Sequence, residues 1–133
     1  MKKDLEEGMA KKYTKVKDSG KRQKFESGAV RDIQEGKGRF DLIPPMAMER
    51  LARHYENGAR KYGESNWQKG MPLSRYLDSL IRHAYKLLAG MDDEDHAAAI
   101  AWNSFAFIYT KDKIEQGKLP KDLDNIQKDT QKE

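Results

Sequence analysis

Apolar residues recur at helical spacing in three stretches of this chain, and no stretch shows convincing strand alternation. The first follows Pro44-Pro45, because proline suits a first helical turn. From there Met48, Leu51, Ala52, Tyr55, Ala59 and Tyr62 recur at i, i+3, i+4, i+7, i+11 and i+14, and Gly63 stops the helix. The second takes Ser74 as its N-cap after Pro72, carries the stripe Leu77, Leu80, Ile81, Ala84 and Leu88, and ends at Gly90. The third begins in the acids of "GMDDEDHAAAIAWN", with Asp92 as its cap, and is apolar on nearly every side from Ala97 to Tyr109. A helix of that kind is the central, buried member of a bundle. The predicted fold class is all-α: a small helical bundle of three main helices with a Gly-rich N-terminal segment. Apolar faces this wide in so small a bundle predict completion by oligomerisation, as a homo-oligomer, dimer or tetramer, with sites near the interface.

Polar stretches set the expected domain limits. Residues 1–24 hold the basic excess behind the net charge of +4, and the remainder is close to neutral. This arm is expected to be disordered; with Tyr13 as its one stacking aromatic it reads as a solvated tail, so no specific nucleic acid is expected as a partner. The helical domain is expected over 25–118, and a second polar tail over 119–133, ending "KDLDNIQKDTQKE". Between arm and first helix, "FESGAVRDIQEGKGRFDLIPP" is a long Gly-punctuated segment charged at Arg31, Asp32, Lys37 and Arg39. A loop that long in a domain this small is usually functional or disordered. There is no cysteine, which excludes thiolate chemistry and fits a reducing compartment. No apolar run approaches the roughly 20 residues of a spanning helix, so no membrane partner and a cytoplasmic location are expected.

Polar residues placed on apolar helices carry the candidate chemistry. Asp92, His96, Ala99 and Asn103 fall along one stripe of the third helix. On the bland view the acids favour the positive helix end, and His96 and Asn103 bond neighbouring backbone. On the sharper view four adjacent carboxylates repel one another, and a hard divalent cation would resolve that. On the second helix Asp78, Arg82 and Tyr85 share one stripe, and Ser79, His83 and Lys86 another. On the first, Glu49, Arg53, Glu56 and Arg60 read first as surface i, i+4 pairs. In "KYGESNWQKGMPLS", Trp67 either plugs the core edge or offers a face to a base, while Lys61, Lys69 and Arg75 are placed to meet phosphates.

The pieces "GARKYG", "NWQKG", "RYLDSLIRH" and "DEDHAAAIAWN", together and in this order, closely resemble the small bacteriophage and prophage proteins classed as dATP/dGTP diphosphohydrolases. The resemblance covers about residues 27–109. It implies hydrolysis of a purine deoxynucleoside triphosphate to the monophosphate and pyrophosphate with a divalent metal, in an architecture distantly similar to the all-α, MazG-like pyrophosphohydrolases. In those relatives carboxylates in an E-E-x-x-E and an E-x-x-D pattern hold Mg²⁺. Here the comparable places hold Arg82, His83 and Lys86, then Asn103.

The expected function is therefore metal-dependent hydrolysis of dGTP or dATP, with Mg²⁺, Mn²⁺ or Co²⁺ held by Glu56, Asp78 and Asp95. His83 or His96, with Asp78, would take the catalytic role of orienting or deprotonating water. Arg31, Lys37, Arg39, Lys61, Asn66, Lys69, Arg82 and Asn103 would bind the substrate, with Trp67 stacked on the purine. The alternative is a phage protein that sequesters a nucleotide signal of host defence without cleaving it. In either case the setting would be the host cytoplasm.

Overall fold

The computed structural model describes residues 16–126, which divide after Leu42 into two compact units. Most of the basic arm, residues 1–15, and the end of the polar tail, 127–133, lie outside the described residues.

The first unit is built on an antiparallel hairpin of β1 (Arg22–Lys24) and β2 (Val30–Asp32), paired Arg22 to Asp32, Gln23 to Arg31 and Lys24 to Val30. The turn closes through Phe25 N–H on the Ala29 carbonyl and Gly28 N–H on the Phe25 carbonyl, both 2.9 Å. Asp32 ties the ends together. It accepts from the backbone N–H and hydroxyl of Ser19 and from Lys37 Nζ at 2.9 Å. The sequence reading expected no strands here and drew its arm boundary at residue 24, directly after β1. Strands of three residues, exposed except at Asp32, are too short to print an alternation.

The second unit is the helical bundle expected from the periodicity: α1 (Pro45–Tyr62), α2 (Leu73–Leu88) and α3 (His96–Glu115). Proline opens α1, and Gly63 closes it by donating its N–H to the Ala59 carbonyl. At the end of α2, Gly90 at φ +77° donates to the Leu87 carbonyl while Met91 donates to that of Lys86. That is a Schellman cap, in which a left-handed glycine satisfies two orphan carbonyls.

α3 packs against both α1 and α2. Its buried side is lined by Ala98, Ala99, Asn103, Ala106, Thr110 and Ile114. Leu73, Tyr76, Ala106 and Ile114 form the centre of the core, and the Tyr76 hydroxyl meets Thr110 Oγ1 at 3.0 Å inside it. Three departures from expectation follow from this packing. α3 is not buried all round, since Phe105 and Ile108 on its outer side face solvent. Ser74 is not the N-cap of α2; it lies inside the first turn, and its N–H is received by Asn125 Oδ1 at 3.0 Å. Residues 119–126, assigned to the polar tail, are part of the fold: Leu119, Leu123 and Ile126 pack against the core. A Cβ at Gly70 would stand 3.0 Å from Leu119 and 3.2 Å from Leu123, and Gly70 sits at φ +77°, so this close approach suits glycine alone. No helix among the described residues is long and apolar enough to cross a membrane.

Candidate functional site

All three histidines of the chain stand close to one another on three different helices. His96, the first residue of α3, is 1% exposed. A buried imidazole needs partners for both nitrogens, and His96 has them. Its Nε2 lies 2.8 Å from Asp93 Oδ1, and its Nδ1 lies 2.9 Å from Nδ1 of His83 on α2. The carboxylate fixes the tautomer, since it can only accept: Nε2 of His96 carries the proton, and its Nδ1 presents a lone pair to His83. Glu94 completes a cluster with the two imidazoles, with one donor atom of each residue within 4.8 Å of the others. Burial lowers the pKa of His83 and of His54, and so favours the neutral imidazole in both.

His83 of this cluster lines a cleft of about 460 Å³ between α1, α2 and α3. One wall is aromatic. Trp67 stands edge-on to Tyr109 at 4.8 Å and to Tyr55 at 6.1 Å, so it both closes the core edge and lines the cleft. Trp102 lies beside it, 6.1 Å from Tyr55 and 6.0 Å from His54. The polar lining comes from Asn66, Ser79, His83 and Asn103, with Arg75 and Arg82 as its cations. Asn103 is held by its amide, which donates to the Ala99 carbonyl at 2.8 Å and to Ser79 Oγ at 3.4 Å. A second cleft of about 530 Å³ shares His54, Gly58 and Tyr62 with the first and adds Arg50, Arg53 and Lys61, faced by Glu94 and Asp95.

Of the residues expected from sequence, the bundle brings His83 together with His96, and Asn66, Trp67, Arg82 and Asn103 into one cleft, with Lys61 in the adjoining one. Lys69 ends the 3₁₀ turn Asn66–Lys69 and lines neither cleft. Arg31, Lys37 and Arg39 belong to the hairpin unit, where Arg31 pairs across the strands with Gln23, Lys37 bonds Asp32, and Arg39 bonds Asp41 at 2.8 Å.

The expected metal ligands Glu56, Asp78 and Asp95 do not bring their ligand atoms together among the described residues, and each faces an arginine. Glu56 pairs with Arg60 at 2.8 Å, and Asp78 with Arg82 at 3.1 Å. Asp95, not Asp92, is the cap of α3: its Oδ1 accepts from Ala98 N–H at 3.1 Å. It also accepts from Arg50 Nε at 2.8 Å and Nη2 at 2.5 Å. The arginine is the leading reason that the pKa of Asp95 falls to about 2.

His54 and Trp102 were not singled out from sequence, and Asp93 and Glu94 entered only as members of the four-acid run. His54 had a signal, since it stands three residues after Leu51 on the apolar side of α1. Glu94 and Asp93 had none that distinguished them within a run of four acids.

Comparison with known proteins agrees with the motifs. The family model described as dATP/dGTP diphosphohydrolase, N-terminal, matches residues 27–119. A dATP/dGTP diphosphohydrolase of Salmonella phage PMBT28 is 38% identical over 81 residues, which is 58% of this chain and 28% of the phage protein. The chain therefore spans less than a third of that relative's length. No solved structure matches it. The matched span opens in the turn of the hairpin and closes just past α3, so it contains every residue of the cleft and the histidine cluster. On the extent of that match, the chain belongs to the dATP/dGTP diphosphohydrolase family, to its N-terminal region.

Proposed function

We propose that this chain binds a purine deoxynucleoside triphosphate in the Trp67 cleft and hydrolyses it to the monophosphate and pyrophosphate. One observation carries the reading: an aromatic wall, two arginines and His83, one member of the histidine–carboxylate cluster, line the same cleft. Such a cleft is of the size that takes a small ligand, with an apolar wall and a few convergent polar groups. The purine stacks on Trp67, whose face is worth about 1–3 kcal/mol to a base. Arg75 and Arg82 neutralise phosphate oxygens, and Lys61 in the adjoining cleft adds a third cation. Water attacks the α-phosphorus and gives up its proton at the His83–His96–Glu94 cluster, while the bond from that phosphorus to the oxygen bridging it to the β-phosphate breaks and pyrophosphate leaves.

A divalent cation belongs to this proposal, because when bound it lowers the pKa of water and clamps developing charge. Mg²⁺ on Glu56, Asp78 and Asp95 does not fit the side-chain arrangement, since among the described residues these three do not gather their ligand atoms at one point. No step is assigned to it. The reaction would run in the cytoplasm of a bacterial host if the chain is phage-encoded.

Incubation of the protein with each deoxynucleoside triphosphate and Mg²⁺, Mn²⁺ or Co²⁺ tests the reading. Release of monophosphate and pyrophosphate from dGTP or dATP is expected; no turnover of any nucleotide with any of the metals overturns it. A second reading, sequestration without cleavage, is favoured by the neutral Asn103 and the basic Arg82 and Lys86 where relatives carry acids. It predicts tight binding in EDTA with the nucleotide recovered intact.

A further inference from the structure

We propose that His83, His96 and Glu94 form a site for a borderline transition-metal dication such as Co²⁺, Mn²⁺ or Zn²⁺, in preference to Mg²⁺. The inference rests on the reading of this cluster as the place where water is activated, and it names the ion that works there.

The gap between the two imidazoles is the first argument. Their Nδ1 atoms face each other at 2.9 Å. Two lone pairs that close repel, so the gap holds either one shared proton or one cation accepted by both nitrogens. Metal–imidazole bonds of about 2.0–2.1 Å, at angles from octahedral to tetrahedral, set two ligating nitrogens roughly 2.9–3.4 Å apart. The observed separation falls at the octahedral end of that range.

The partner of the far nitrogen is the second argument. Asp93 accepts from Nε2 of His96 at 2.8 Å. A carboxylate on the distal nitrogen is the arrangement that orients a metal-bound histidine and raises its basicity. Because His96 is buried, its ring is held in place before any ion arrives. Glu94 then adds a carboxylate oxygen within 4.8 Å of a nitrogen of each ring. The neighbouring acid Asp95 is tied to Arg50 and to the helix end, so Glu94 is the acid left to serve.

The donor set decides the class of ion. Two imidazoles and one carboxylate suit Mn²⁺, Co²⁺ or Zn²⁺, whereas Mg²⁺ favours oxygen ligands throughout. Three protein ligands leave further positions for water and a phosphate oxygen, as a catalytic site requires. His83 lines the nucleotide cleft, which gives those positions their substrate.

Titration of the full chain with CoCl₂, followed by visible absorption and calorimetry, tests the site apart from turnover. One Co²⁺ per chain with d–d bands of nitrogen ligation is expected, with Mg²⁺ failing to displace it. His83→Ala should abolish the bands, Asp93→Asn should weaken binding by about 10- to 100-fold, and Glu56→Gln should change nothing. Circular dichroism of each variant separates a lost ligand from a lost fold. Absence of Co²⁺, Mn²⁺ and Zn²⁺ binding, or binding indifferent to His83→Ala in a folded variant, overturns the proposal and assigns the gap to a shared proton. Nucleotide hydrolysis by a protein that binds none of these ions would overturn the metal site and keep the hydrolase reading. Co²⁺ held at the cluster by a protein that turns over no nucleotide would do the reverse.

Discussion

Asp95 fastens two helices with one carboxylate, capping α3 through Ala98 N–H while receiving both arms of Arg50 from α1. Replacing it with alanine is expected to lower stability by about 1 kcal/mol, the usual worth of a helix cap. Asp95→Asn should lose less, since an amide oxygen still caps. Urea denaturation of the two variants checks this; equal stability of Asp95→Ala and the parent would remove the capping role. The sequence reading gave that duty to Asp92, the first of four adjacent acids, and only the point where the backbone enters the helix, at His96, selects Asp95. The histidines show the same limit from the other side. That His96 and His83 needed partners was legible, because both are polar residues beside apolar stripes. That they partner each other was not, since it depends on the register of two helices and not on either one alone. The Glu56–Arg60 and Asp78–Arg82 pairs were legible as i, i+4 spacings on one helix, whereas the Asp95–Arg50 pair joins two helices and was not.

At the scale of elements, α1 and α2 were legible nearly to their ends and α3 to within about a turn at its start, and the pieces joining them were not. Proline and glycine punctuation and the 3.6-residue period predict α1, α2 and α3 because each is long enough to repeat its pattern. The hairpin is too short for that, and its order comes from Asp32, which Ser19 and Lys37 hold ionised with a pKa of about 2. A folded-state pKa below the unfolded value contributes stability that is complete above about pH 4 and fades as pH falls toward 2. The Ser19 amide resonance should therefore titrate near pH 2 in an acid series. A midpoint at the ordinary carboxylate value would mean that the Asp32 contacts do not form in solution. The start of α2 was misassigned to Ser74 because its real partner, Asn125, is 51 residues away. Asn125 also donates its amide to Ser74 Oγ at 2.8 Å. Asn125→Ala is expected to cost about 0.5–1 kcal/mol and to fray the first turn of α2, seen as faster amide exchange at Ser74 and Arg75. Unchanged exchange there would show that the clamp is not used.

For the molecule as a whole, the open question is what the outer apolar surface meets. Ile81, Tyr85 and Leu88 on α2 are 52%, 69% and 85% exposed, and Phe105 and Ile108 on α3 are 46% and 62% exposed. Apolar side chains in rows of this kind are the usual mark of an interaction surface, and the homo-oligomer expected from the sequence is proposed to form through them. Light scattering should give a mass at least twice 15.4 kDa, and Ile108→Lys should reduce it to that of one chain. A monomeric parent would overturn the expectation. The sequence suggested this surface by making α3 apolar on nearly every side, but it could not say which side the bundle covers, since that depends on where α1 and α2 lie. The reach of Asn125 to Ser74 also sets an order of events during synthesis. The residue that caps α2 leaves the ribosome only after all of α3, so the first turn of α2 waits uncapped while half the domain is still being made. Leu119, Leu123 and Ile126, which pack against the core, arrive in the same last instalment.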